Sequence, residues 1–298
     1  MMSWPCRRMF PASTTLLSRM PNWPAATWQW LARLVITLTL VLMPPAITPA
    51  EIKGSLIIAG NGPELPTIET LARAFERANP RVYVDILWDE DVKPVDLVQT
   101  GQAHLAVAGA EDPALRATQI GWDGIGILVH LSNFTKDVTK QQVADVFTGK
   151  VRNWSELGGP DTKILPIDRP RNQNVRDAFE THLGITEKLT SQAKIIGPDD
   201  QVVKTVVGTL PPLSAVAYIS LSTSLFAVSS GVAVRLLPVD TVEPEIPTVK
   251  DGRYPLRRPL LLLSKKDSSP LAEAFAVFAR SALGQTIVSE IYVPMSTQ

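Results

Sequence analysis

Apolar residues after Glu51 follow two alternating spacings, which predict alternating strands and helices. Apolar runs typical of strands recur through the first part of this region, at 54–60, 82–86 and 105–108. Between them, apolar residues recur at helical spacing, first after Pro66 and then over 95–100. Pro66 suits the first turn of a helix, where its missing N–H costs nothing. Strand–helix–strand order predicts parallel strands joined by crossover helices, and therefore an α/β fold.

The alternation continues to the end of the chain. Thr139-Lys140-Gln141-Gln142 is a capping box and predicts a helix directly after it. Asn172 or Asn174 is predicted to cap a later helix that ends at Gly184. Ser269-Pro270 is predicted to begin a C-terminal helix. Further strands are predicted at 124–131, 164–167, 216–221 and 260–263, and an irregular connection at 238–255.

Residues 1–50 have the pattern of an export signal. Arg33 precedes the ten-residue apolar run 34–43, two prolines end that run, and Thr48-Pro49-Ala50 places small residues before Glu51. A transmembrane helix needs about 20 apolar residues, so the run is short for a membrane span. We therefore predict a signal peptide at 1–50 and a periplasmic or secreted protein. An uncleaved N-terminal anchor is the alternative.

The charge balance argues against a nucleic-acid partner. The whole chain has 29 basic and 29 acidic residues, but residues 1–50 hold four arginines and no acid. The rest of the chain therefore has 25 basic and 29 acidic residues. No positive excess is left there to neutralise a phosphate backbone.

Recognisable catalytic and metal-binding motifs are absent from the sequence. The one cysteine, Cys6, lies in the leader, so the exported region has no disulfide and no cysteine metal ligand. The three histidines lack metal spacing, and neither a nucleophile elbow nor a P-loop is present. We expect no cofactor, no metal and no enzyme activity. The tryptophans beyond the leader are expected to pack in the core or in loops.

Two strand–loop–helix junctions remain as candidate sites. Gly60-Asn61-Gly62 precedes the first helix, and 169–174 (RPRNQN) precedes the helix at Val175. A helix N-terminus beside an arginine can bind an anion. The alternative is an ordinary capped helix with solvated arginines.

The middle of the chain resembles the substrate-binding proteins of phosphate ABC importers. The most specific segment is 146–159 (VFTGKVRNWSELGG), and 124–133, 165–170 and 175–184 support it. Further similarity lies in 217–221, in 254–260 (YPLRRPL) and in 291–294. The resemblance covers most of 54–298.

This resemblance implies a two-lobed periplasmic-binding-protein-like fold of type II. Two crossing strands, predicted near Leu128 and Pro259, would join the lobes, and ligand would bind in the cleft between them. Lobe I would comprise 51–128 and 257–298, and lobe II would comprise 129–256.

The resemblance also implies a set of ligand-binding residues. Arg169 matches the arginine of the family, and Gln173-Asn174-Val175 followed by Arg176 takes the place of its Ser-Gly-Thr-type loop. Asn61 and Gly62 stand where the family brings Thr or Ser, and Glu111 is a candidate acceptor for a proton-bearing ligand oxygen. The predicted ligand-binding residues are Asn61, Gly62, Glu111, Arg169, Gln173, Asn174, Val175 and Arg176.

An acidic triplet, Asp89-Glu90-Asp91, replaces a Ser/Gly-rich loop of the family. Three carboxylates facing a dianion would oppose binding unless they point away or are paired. The triplet either forms a solvated loop or faces Arg169, Arg171 and Arg176 across the cleft. In the second case the opposite charges would close the empty protein.

The resemblance implies a monomeric protein that captures phosphate or a related oxyanion and presents it to an ABC permease. The runner-up is a member of the family that lost phosphate binding and acts as a sensory or interaction protein. A secreted phosphate-ester enzyme is a third class, disfavoured because no nucleophile or metal set is present.

Overall fold

The computed structural model describes residues 52–295, and the predicted signal peptide lies outside them. Nearly every predicted element is present. The strands are β1 (Gly54–Gly60), β2 (Val82–Trp88), β3 (Leu105–Ala108), β4 (Arg116–His130), β5 (Leu165–Asp168), β6 (Lys194–Ile195), β7 (Ala215–Ser220), β8 (Val234–Leu237), β9 (Arg257–Ser264) and β10 (Val293–Pro294). The helices are α1 (Leu65–Ala78), α2 (Pro94–Thr100), α3 (Lys140–Phe147), α4 (Asn174–Leu183), α5 (Asp199–Gly208), α6 (Leu221–Ser229), α7 (Ile246–Lys250), α8 (Pro270–Arg280) and α9 (Ala282–Ser289).

The strands are arranged as two half-sheets that share β4. The hydrogen-bonded order is β2-β1-β3-β9-β4-β7-β5-β6, with β8 and β10 also pairing with β4. β1 is parallel to β2 and β3, and β5 is parallel to β6 and β7, as crossover helices require. We call the half with β1–β3, α8 and α9 lobe I and the half with β5–β8 lobe II.

Strand β4 passes from one lobe to the other. Its residues 116–124 pair with β9 in lobe I, whereas 125–129 pair with β7 in lobe II. The Ile125 N–H donates to the Leu256 carbonyl at 2.8 Å, directly before β9 begins. The two connections between the lobes therefore run side by side at Gly124–Ile125 and Leu256–Arg257.

Each lobe has its own aromatic core. In lobe I, the rings of Phe75 and Phe275 meet edge to face with centroids 5.3 Å apart. In lobe II, Phe179 stacks on Tyr218 at 3.9 Å, and Phe147 meets Phe179 edge to face. These contacts fix α4 against β7, and so position the loop that precedes α4.

Local signals account for several helix ends. Thr139 and Gln142 form the predicted capping box at the start of α3. Ser269 caps α8 by accepting from the Ala272 N–H at 3.2 Å. Gly184 ends α4 with a φ of 65°, a left-handed conformation that favours glycine.

The described residues include no single helix with the length and hydropathy to span a membrane. Only the pair α8 and α9, bent by 64° where they meet, passes such a test together. Residues of both helices pack in the lobe I core with Phe75, among them Phe275, Ala279 and Val288.

Candidate functional site

The cleft between the lobes is formed where two helices begin. α1 starts after Glu64 in lobe I, and α4 starts after Gln173 in lobe II. Gln173 is the N-cap residue of α4 and makes no side-chain cap bond, so the predicted capping by Asn172 or Asn174 is wrong. The reason is that both asparagine side chains bond to lobe I instead.

Three asparagines connect the lobes across the cleft. The Asn61 amide donates to the carbonyl oxygens of Asn172 and Val92, and its Oδ1 accepts from the Asn174 N–H at 3.3 Å. Asn172 donates in return to the carbonyl oxygens of Glu90 and Val92. These bonds link the end of β1 and the loop after β2 to the first turn of α4.

A buried polar network lies at the centre of the cleft. We call it the central network: Glu64, Asp123, Asn174, Ser220 and Arg258. Arg258 Nη2 lies 2.7 Å from Glu64 Oε1 and 2.9 Å from Asp123 Oδ2, and its Nη1 donates to Asn174 Oδ1 at 3.2 Å. Asn174 Nδ2 donates to Glu64 Oε2 at 3.0 Å, and Ser220 Oγ donates to Asp123 Oδ2 at 2.8 Å. The network therefore joins residues of both lobes and of both connecting strands.

Two carboxylates share one guanidinium in the central network. Burial opposes the charged form of Arg258, but Glu64 and Asp123 outweigh it and raise the pKa of that guanidinium. Burial raises the pKa of Asp123, against the lowering effect of Arg258 and Ser220. Two buried carboxylates therefore depend on one guanidinium for their positive charge, and the pKa of one of them, Asp123, is raised.

A cavity of about 430 Å³ is lined by Arg169 and by Pro63 and Leu65, the chain neighbours of Glu64, although no residue of the central network itself lines it. Arg169 Nε donates to Gln173 Oε1 at 2.9 Å and its Nη2 pairs with Asp199. Arg169 Nη1 is buried without a hydrogen-bond partner among the described residues, as is Asp199 Oδ2. The cavity is lined by Asn61, Gly62, Pro63, Leu65, Pro66, Trp88, Asp89, Glu90, Arg169, Gln173, Gly197, Pro198, Asp199 and Thr223.

Residues of lobe II fix the position of Arg169. The Asp168 carboxylate accepts from the Tyr218 hydroxyl at 2.5 Å and lies 3.1 Å from Arg176 Nη1. Arg176 also donates to Glu180 and to the Arg169 carbonyl oxygen. Asp168 and Arg176 thereby hold the loop that carries Arg169 in place.

The structure brings five of the eight predicted ligand residues to the centre of the cleft or to the cavity that Arg169 lines. We call this cavity of about 430 Å³ the larger cavity, because a second one in the cleft has about 190 Å³. Asn61, Gly62, Arg169 and Gln173 line that cavity, and Asn174 belongs to the central network. Glu111 is exposed and lines a separate cavity of about 190 Å³.

The other two predicted ligand residues have side chains that lie elsewhere. The Val175 side chain is fully buried in the lobe II core, so only its backbone could reach a ligand. Arg176 pairs with Asp168 and Glu180 inside lobe II and lines neither cavity.

Within residues 52–295, the acidic triplet does not form the hypothesised ion pairs with Arg169, Arg171 and Arg176. Arg169 pairs with Asp199, and Arg176 pairs with Asp168 and Glu180, all of lobe II, while Arg171 is exposed. Within the triplet, Asp89 accepts from the Asp91 N–H at 2.9 Å, and all three residues are exposed. Asp89 and Glu90 nevertheless line the larger cavity.

The histidines have structural partners. His104 Nδ1 accepts from the Ile57 N–H at 2.9 Å, His130 Nδ1 accepts from the Ser132 N–H at 3.1 Å, and burial lowers the pKa of His182. Within residues 52–295, no group of three or more His, Cys, Asp or Glu side chains is placed to hold a metal ion.

Sequence reasoning missed the residues that complete this site. Glu64, Asp123 and Asp199 carried no motif, and Arg258 was noted only as part of the segment 254–260. Glu64 and Arg258 are 194 positions apart in the chain. The one local signal among these residues was Glu64, an acid that stands immediately before the first turn of the predicted helix α1.

Comparison with known proteins agrees with this architecture. Residues 46–282 match a family model described as a PBP superfamily domain. The phosphate-binding protein PstS of Bacillus subtilis is 26% identical over 261 residues, covering 82% of this chain and 81% of the relative. The predicted resemblance to substrate-binding proteins of phosphate ABC importers is thus confirmed.

Solved structures confirm the two-lobed α/β fold. A Clostridium perfringens protein, described as a phosphate ABC transporter substrate-binding protein with bound phosphate, superposes with a TM-score of 0.71 at 28% identity. The match covers 82% of this chain and all of that structure. An ABC-type phosphate transport receptor from Vibrio cholerae gives a TM-score of 0.70 at 21% identity over 80% of this chain and 99% of its own, which supports the fold alone.

Proposed function

Since the chain belongs to the PBP superfamily, we propose that it is an exported solute-binding protein that captures phosphate or a related oxyanion for an ABC importer. The relatives named above are binding proteins for transport rather than enzymes. The proposed role is accordingly binding, with the cleft as the ligand site and a membrane permease as the partner of the loaded monomer.

The observation that carries the proposal is the unpaired donor of Arg169. Its Nη1 is buried and without a partner among the described residues, in a side chain that lines the larger cavity. Gln173 and Asp199 hold the other guanidinium nitrogens, so the orientation of Nη1 is set before a ligand arrives. A charge-assisted hydrogen bond from such a donor suits an oxyanion.

The start of α4 adds to the favourable environment for an anion. The positive end of the helix dipole lies at Asn174. Hydroxyl donors of a Ser-Gly-Thr type are replaced here by the side chains of Gln173 and Asn174, which are engaged with Arg169 and Glu64. We therefore expect weaker phosphate binding than a hydroxyl-lined site would give.

Calorimetry with inorganic phosphate tests the proposal. Arg169→Ala should weaken phosphate binding about tenfold or more, because one charge-assisted bond is lost. Arg171→Ala is the matched control, since Arg171 is exposed and lies two residues away. Equal phosphate affinity in R169A and the parent would show that Arg169 is not a ligand.

Export is tested separately. The mature protein should begin near Glu51 and be recovered from the periplasm or the medium. Membrane-bound protein that starts at Met1 or Met20 would contradict the export proposal.

The sensory or interaction role is the second candidate. The specific observation in its favour is that the Glu64 carboxylate itself bonds to Arg258 and Asn174 at the centre of the cleft. No phosphate binding by the parent protein at millimolar phosphate would favour this role.

A further inference from the structure

Glu64 is a buried acid whose carboxylate is bound from both sides of the cleft. Only 2% of the residue is exposed. One carboxylate oxygen lies 2.7 Å from Nη2 of Arg258 on β9, and the other accepts from Nδ2 of Asn174 on α4 at 3.0 Å. Its partners therefore come from a connecting strand and from the first turn of the lobe II helix.

Resting on the proposed function, we infer that the Glu64 carboxylate is an internal anion at the centre of the cleft. An external oxyanion reaches this position only by displacing Glu64. Glu64 thereby keeps an external anion away from the donors of Arg258 and Asn174 and confines it to the cavity beside Arg169.

The carboxylate does not serve the usual purpose of an acid at a helix start. Glu64 is the N-cap residue of α1, yet its side chain makes no cap bond to the helix. A capping acid accepts from the N–H groups of its own first turn. The Glu64 side chain bonds instead to a guanidinium and a carboxamide, which are donors that a bound oxyanion could also use.

The space around the carboxylate is filled. A Cβ added at Gly62 would overlap Glu64 Oε2 and the side-chain amide of Asn174. Arg258 is fully buried on the other side. No room is left at the centre for an external anion while Glu64 occupies it.

Charge reinforces this exclusion. Glu64 and Asp123 already share the single guanidinium of Arg258. A phosphate placed beside them would add like charge in a buried site, where such repulsion is strong. Without the Glu64 carboxylate, Arg258 would keep Asp123 as its partner and could offer Nη2 to the ligand.

The same carboxylate helps to hold the lobes together. The bond from Asn174 to Glu64 crosses from lobe II to lobe I, next to the contacts of Asn61 with Asn172 and Asn174. Truncating Glu64 therefore removes one of the hydrogen bonds that connect the two lobes.

The test compares Glu64→Ala and Glu64→Gln with the parent and with Glu69→Gln. Glu69 is an exposed acid on the same helix and serves as the matched control. Calorimetry with inorganic phosphate should show E64A binding at least about tenfold more tightly than the parent, since both charge and bulk are removed. E64Q removes only the charge and should lie between them, whereas E69Q should match the parent.

Small-angle scattering without phosphate provides the second measurement. E64A should have a larger radius of gyration than the parent and E69Q, because a tie between the lobes is lost. Circular dichroism establishes that each variant is folded. Should E64A not fold, E64Q carries the calorimetric measurement, because it removes the charge and keeps the shape of the side chain.

The outcomes separate this inference from the proposed function. If the parent binds phosphate and the Glu64 variants bind no tighter, the internal-anion inference is overturned and the proposed function stands. If only the Glu64 variants bind phosphate, the inference is supported and phosphate capture by the parent is not. If neither the parent nor any variant binds phosphate, both the proposed function and the inference fail.

Discussion

Arg258→Met removes the only cation of the central network while keeping much of the aliphatic bulk. Glu64 and Asp123 would then be buried without their positive partner. Removing one partner of a buried ion pair costs about 3–5 kcal/mol of unfolding free energy. In a chain of this size that corresponds to a melting temperature lower by roughly 6–20 °C.

The pH dependence of that loss has a definite sign. Burial already raises the pKa of Asp123 in the presence of Arg258. Without the guanidinium, the folded-state pKa of Asp123 should rise further above its unfolded value of about 4. The folded variant then binds protons that the unfolded chain releases, so its stability falls as pH rises above about 4. The deficit relative to the parent should be largest at pH 8 and smaller at pH 5.

Urea unfolding at pH 5 to 8 of the parent, R258M and R257M measures this effect. Arg257 is the matched control, because it is the adjacent arginine but lies over the Trp122 ring at 3.2 Å in a partly exposed position. R257M should lower the free energy of unfolding by only about 0.5–1 kcal/mol, the contribution of the contact between Arg257 and the Trp122 ring. The reasoning would be refuted if the free energy of unfolding of R258M at pH 8 were within about 1 kcal/mol of that of the parent. It would also be refuted if the difference between the two proteins did not change with pH.

Three further substitutions test hydrogen bonds and packing within the two lobes. Tyr218→Phe should lower the free energy of unfolding in urea by about 1–3 kcal/mol, because the buried Asp168 carboxylate loses its hydroxyl donor. Tyr83→Phe is the control and should leave that free energy almost unchanged, because Tyr83 is exposed. Thr139→Ala should cost about 1 kcal/mol by the loss of the α3 capping box, and an unchanged urea midpoint would contradict that role. Gly284→Ala should cost about 1–3 kcal/mol, because its Cβ would overlap a backbone carbonyl of α8, and Gly208→Ala, which meets open space, is its control. Equal melting temperatures for the two glycine variants would show that the overlap relaxes freely.

Local periodicity was sufficient for the first five elements. β1, α1, β2, α2 and β3 lie where the apolar spacing predicted them, because each buries one regular face against its neighbours. The first half of β4 was missed. Its burial is irregular along Arg116–Asp123, since this stretch pairs with β9 and β10 and shows no clean alternation. Helix α6 was missed because Ser224 is buried whereas Phe226 is exposed, so its apolar residues do not mark one buried face.

The sequence by itself determined the α/β class, the loop that carries Arg169, and the approximate position of the cleft. These follow from strand–helix order and from a helix start beside an arginine, both of which are local features. Tertiary structure alone decided which residues occupy the centre. Asp123 and Arg258 meet because β4 pairs with β9, and Glu64 reaches Arg258 from the start of α1 in lobe I. Asparagine is a common helix-capping residue, yet the side chain of Asn174 bonds to Glu64 and does not cap α4. The reason is that lobe I presents a buried carboxylate at this point, which the local sequence does not reveal.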